Sequence, residues 1–143
     1  MILCYYVAAK AISGVDDVQL KVIPLKTQEN QVNFQRGVAS LVLLGLLRQS
    51  DMYGYQLTQE MERQSMGALS MQEGALYPVL YKLQDAGYIS AEKVLVGKRM
   101  TRVYYHLEPK GQEYLDQLAA DYRAVANGVL QIVEGTASGA TEE

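Results

Sequence analysis

Seven side chains in two short segments have the chemistry to grip a nucleic acid. Gln72, Tyr77, Tyr81 and Lys82 lie in one segment, and Lys98, Arg99 and Arg102 in the other. An amide such as Gln72 matches the N6/N7 edge of adenine, while ammonium, guanidinium and phenol groups suit phosphate oxygens. Tyr77 and Tyr81 are four residues apart and so share one helical face. Each group also has a plainer reading. The tyrosines could be half-buried against a neighbouring helix, Gln72 an ordinary solvated amide, and the basic trio a solvated charge run. Lys82 suits a phosphate better than a base.

Other chemistries find little material. Cys4 is the only cysteine and His106 the only histidine. A disulfide framework is excluded, and no ligand cluster suggests a metal. Glu60, Glu62 and Glu73 read as helix-surface and capping groups, since no nucleophile or glycine-rich phosphate loop accompanies them. His106 reads as structural or surface-exposed. The expectation is a protein that is not an enzyme and needs no cofactor. The longest apolar run, residues 38–47, is interrupted by Ser40 and Gly45 and falls short of the roughly 18 residues of a membrane span. The apolar N-terminus lacks a basic n-region, so it is not read as a signal peptide. A cytoplasmic protein with no membrane partner is expected.

The net charge of −3 argues at first against a nucleic-acid partner. Its distribution restores the case. Residues 92–110 carry five basic side chains (Lys93, Lys98, Arg99, Arg102, Lys110) against Glu92 and Glu108. From residue 111 onward only Arg123 stands against Glu113, Asp116, Asp121, Glu134, Glu142 and Glu143. A phosphate-binding surface needs local charge, not a basic total.

The elements that must position these groups follow from periodicity. Residues 34–49 are apolar nearly all round, as in a helix at the centre of a small core. Residues 50–54 read as a turn, and residues 55–64 as a second helix with Leu57 and Met61 inward. A third helix begins at Ser70, which has capping-box spacing to Glu73. Leu76, Val79, Leu80 and Leu83 form its apolar stripe, and Gly87 suits its left-handed C-terminal residue. Pro78 fits this helix in one of two ways: the helix bends there, or it starts late, near Gly74. The period then changes to two. Residues 89–96 and 102–107 form a β-hairpin whose tip, residues 97–101, is basic. Pro109 opens a last helix that Gly135 ends. Its Leu115, Leu118, Tyr122, Val125, Val129 and Ile132 are spaced three, four, three, four, three, an a/d seam. Such a seam wants a partner helix. Tyr122 is read as a dimer-core aromatic or as the wall of an effector pocket between subunits.

Helix, helix, helix and basic hairpin is winged helix-turn-helix order. Residues 37–111 resemble the DNA-binding domain of PadR-type transcriptional regulators. The resemblance lies in Tyr53-Gly54-Tyr55-Gln56-Leu57, in residues 73–83 (EGALYPVLYKL), in Gly87-Tyr88-Ile89 and in Arg102-Val103-Tyr104-Tyr105-His106-Leu107. The family usually has Thr where Ala75 stands. The resemblance implies a homodimer on a near-palindromic double-stranded DNA operator, usually as a repressor. A small-molecule effector that releases it is a further expectation. A C-terminal region reduced to one helix is similar to one subgroup of the family. The chain lacks Trp, so the indole-lined drug platform of some relatives is not available.

The expected fold is mainly α with a small β-hairpin. Residues 1–33 form an extension outside the resemblance, in which residues 18–22 alternate like a short strand and residues 26–33 read as a linker. Residues 34–108 form the winged-helix domain, 109–135 the dimerisation helix and 136–143 a disordered tail. The alternative function is a winged-helix protein–protein interaction module without specific DNA binding.

Overall fold

A computed structural model describes residues 27–135, with side chains from residue 34 onward. The expected strand at residues 18–22 and the tail from residue 136 lie outside it. Four helices and two strands follow the expected order, with one strand added. Helix α1 is Thr27–Gln49, strand β1 Met52–Tyr53, helix α2 Gly54–Gln64, helix α3 Glu73–Asp85, strands β2 Ile89–Val96 and β3 Met100–Leu107, and helix α4 Pro109–Glu134.

Helix α1 begins at Thr27, not at residue 34, so the expected linker is helical backbone. Gln and Glu are good helix formers, and a polar stretch that ends in a strongly apolar one can extend its helix. The C-terminal half carries the core. Leu43, Leu44, Leu46 and Leu47 are buried with Leu57 and Met61 of α2 and Leu76, Leu80 and Leu83 of α3.

The sheet order is β1-β3-β2, antiparallel throughout. The β2–β3 ladder runs from Ile89↔Leu107 to Val96↔Met100, closed by a turn at Gly97, whose φ of +72° suits glycine. Strand β1 replaces the expected turn. It pairs Met52 with Tyr105 and Tyr53 with Tyr104. Two residues are too short for an alternating pattern, so only the distant partner reveals them as a strand. The base of the sheet buries Met52, Ile89 and Tyr105 in the core, while Ala91–Leu95 of β2 is exposed. The hairpin therefore projects from the domain as a wing.

Helix α3 starts at Glu73, with Gln72 as its N-cap. The Ser70 capping box does not form. The Ser70 N–H instead donates to the Gln35 side chain of α1 at 3.1 Å, and the Glu73 carboxylate accepts from the Tyr77 hydroxyl. The helix does start late, near Gly74, but Pro78 falls past its first turn, inside the helix, where it removes one backbone donor. At the other end Tyr88 N–H donates to Leu83 O and Gly87 N–H to Gln84 O, both at 3.0 Å. With Gly87 at φ +81° this is a Schellman stop. It swings the chain directly from α3 into β2.

Candidate nucleic-acid interface

Helix α3 is two-faced. Leu76, Leu80 and Leu83 are buried, whereas Gln72, Tyr81, Lys82 and Gln84 are exposed. Gln72 holds the helix start through its backbone carbonyl, which accepts from Ala75 and Leu76. Its side chain makes no cap hydrogen bond. The two tyrosines divide their roles. Tyr77 is half-buried, its ring lies against Gly54 of α2, and its hydroxyl donates to Glu73 at 3.2 Å. Burial first, and then the Glu73 carboxylate, push its ionisation upward. Tyr81 is 56% exposed and stacks on Tyr77 with ring centroids 6.0 Å apart. The hydroxyl open to a ligand is thus that of Tyr81. Tyr105 of β3 lies near both, and burial followed by these two neighbours raises its ionisation as well. The aromatic group ties α3 to the root of the wing.

The basic segment divides into three places. Lys98 and Arg99 stand exposed in the turn at the wing tip. Arg102 lies back along β3, opposite Val94, with its guanidinium carbon 4.4 Å from the Tyr53 ring centroid. Lys110 is not part of the wing. Its ammonium donates to Ala86 O at the end of α3, at 2.9 Å, and sits over the Tyr88 ring. A cation there satisfies a terminal carbonyl and complements the helix dipole. Among the described residues the ion pairs are Arg63–Glu60 and His106–Asp51. Lys82, Lys98, Arg99 and Arg102 therefore keep their charge free of carboxylates. Sequence reading missed Tyr53, because its place beside Arg102 depends on the β1–β3 register.

Helix α4 uses its seam in two ways. Leu115 is buried and Leu118 packs against the same core, so these two serve the chain's own domain. Tyr122, Val125, Val129 and Ile132 are 52%, 65%, 51% and 83% exposed. Leu130 and Val133, not singled out from the sequence, widen this bare strip. Among the described residues no helix is long and apolar enough to cross a membrane.

Comparison with known proteins places this geometry in context. Residues 43–117 match the model of the Transcriptional regulator PadR-like family. The chain is 31% identical over 102 residues to the transcriptional regulator Rv3488 of Mycobacterium tuberculosis, covering 71% of this chain and 89% of that protein. It is similar in structure to a transcriptional regulator from Clostridium thermocellum, with TM-score 0.65 and 25% identity over 71% of this chain and 98% of the other. It also resembles the Bacillus subtilis negative transcriptional regulator PadR, at 30% identity over 54% of this chain and 43% of that protein. The structure of that protein in complex with operator DNA aligns at TM-score 0.54 and 28% identity, over 57% of this chain and 47% of the other. The chain thus spans under half the length of the Bacillus protein.

Proposed function

The chain belongs to the PadR-like family of transcriptional regulators, a family of regulators and not of enzymes, and on that premise we propose that it binds double-stranded operator DNA as a homodimer. Helix α3 enters the major groove with Gln72 and Tyr81 toward bases or phosphates, and Lys82 meets a phosphate. The wing residues Lys98, Arg99 and Arg102 supply charge to the flanking backbone. Tyr77 contributes by holding α3 in place. The observation that carries this reading is the coincidence of an exposed polar face on α3 with four cations free of carboxylate partners. The Bacillus neighbour in complex with operator DNA supports it.

Two copies joined along the exposed strip of α4 would place their α3 helices in successive major grooves, about 34 Å apart on a near-palindromic site. Repression is the proposed outcome, in line with the name of the Bacillus relative. A small effector that releases the DNA would act through the dimer contact near Tyr122.

Mobility shifts on the promoter region of the chain's own gene, titrated in salt, test the proposal. Each phosphate contact contributes about 0.9 to the slope of log affinity against log salt. Replacing Lys98, Arg99 and Arg102 with Ala should flatten that slope. A wild-type response that is already flat, or no preference over random duplex, would overturn duplex recognition. Unchanged affinity in the triple variant would favour the protein-interaction module.

A further inference from the structure

We propose that Tyr53 is a positioning residue for Arg102, a platform that holds the guanidinium ready for a phosphate while itself touching no DNA. The inference rests on the duplex-binding reading above. Its basis is the sheet register. Strand β1 ends at Tyr53, which faces Tyr104, and Arg102 stands two residues before Tyr104 in β3, on the same face. Continued pairing would set Arg102 opposite Tyr55, but there the chain has already turned into α2. The β1 edge beside Arg102 therefore offers no strand neighbour. Diagonal neighbours in an antiparallel sheet lie within reach of long and aromatic side chains, and the Tyr53 ring fills this place. The guanidinium carbon sits 4.4 Å from its centroid. Tyr104 also meets the Tyr53 ring edge-on, with centroids 5.4 Å apart and planes at 67°.

A guanidinium seated over a ring keeps N–H donors that point away from it, the groups that grip phosphate in pairs. No carboxylate claims those donors among the described residues. A free arginine loses rotamer freedom when it binds, and a stacked one has lost part of it already. The other cation–ring contact among the described residues, Lys110 on Tyr88, is tied to a helix terminus. Lys98 and Arg99 at the tip have no such platform. Arg102 is accordingly the wing cation with the most defined direction.

The test compares Tyr53→Leu, Tyr53→Phe, Arg102→Lys and Arg102→Ala in the full chain, by fluorescence anisotropy with a promoter-derived duplex. An exposed cation–π contact corresponds to about a two- to fivefold loss of affinity for Tyr53→Leu. Tyr53→Phe keeps the ring and should stay near wild type. Arg102→Lys keeps the charge but not the planar guanidinium, and should resemble Tyr53→Leu. In an Arg102→Ala background Tyr53→Leu should add no further loss. An equal loss with and without Arg102, or none at all, overturns the proposal. A second readout needs no DNA. The Arg102 Nε–H proton should carry a ring-current shift that persists in Tyr53→Phe and disappears in Tyr53→Leu. Absence of that shift in the wild type sinks the platform even if DNA binds. Its presence in a chain that ignores duplex sinks the functional reading instead, and with it the role in DNA binding.

Discussion

The Tyr77 hydroxyl oxygen lies 2.6 Å from the point where a Cβ on Gly54 would stand, and the ring carbon behind it lies at 3.1 Å. The first residue of α2 is thus the floor on which the α3 tyrosine rests. Helices α2 and α3 approach this closely because one of them lacks a side chain there. Gly54→Ala should cost about 1–3 kcal/mol by overpacking, outweighing the better helix propensity of Ala. Tyr77→Phe should return part of that loss, so the two changes are non-additive in chemical denaturation. Simple additivity would mean that the ring moves aside freely.

Gly111 gives a sharper case. A Cβ there would meet the Tyr88 carbonyl oxygen and lie 2.8 Å from the Leu107 side chain. Tyr88 O also accepts from the Glu108 N–H, so this backbone is held in place. Gly111→Ala should therefore destabilise by about 3 kcal/mol or more. Gly45→Ala in α1, with open space around the added carbon, should be neutral or slightly stabilising. Thermal unfolding of the two variants side by side checks the contrast.

His106 and Asp51 make a pH-dependent link between β3 and the residues before β1. Nδ1 and Oδ1 are 2.7 Å apart, and both side chains are more than half exposed. The hydrogen bond to Asp51 raises the imidazole above its ordinary value of 6.5. A raised value means the contribution to stability is fully present below about pH 6.5 and is lost as pH climbs through the folded value. Solvent screening keeps it under roughly 1 kcal/mol. Asp51→Asn should lower the His106 midpoint followed by NMR and flatten this part of the stability profile. An unchanged midpoint would mean that the pair is not maintained in solution.

The exposed half of α4 predicts self-association that can be broken without unfolding the domain. Val125→Asp together with Val129→Asp should sediment as a folded monomer, with near-wild-type circular dichroism. Leu118 is unsuitable for this purpose, since it packs on the domain's own core. A dimer that survives both substitutions would place the interface elsewhere.

What the sequence determined on its own was local and periodic. The apolar rhythm of residues 38–47, the Leu76–Leu80–Leu83 stripe, the period-two hairpin and the stops at Gly87 and Gly135 were legible because each is set by neighbours a few residues away. The family resemblance rested on the same segments. Tertiary structure decided matters of contact across the chain. Strand β1 exists only because Tyr105 and Tyr104 lie beside it. Helix α3 starts at Glu73 and not at Ser70, whose N–H goes instead to the side chain of Gln35, 35 residues away. Tyr77 and Tyr81 share a helical face, yet Gly54 accommodates one of them while the other stays exposed. The α4 seam is uniform in spacing, but the domain is only large enough to cover Leu115 and Leu118. Spacing fixes which residues share a face. What that face meets is set by partners distant in sequence, and no local pattern encodes them.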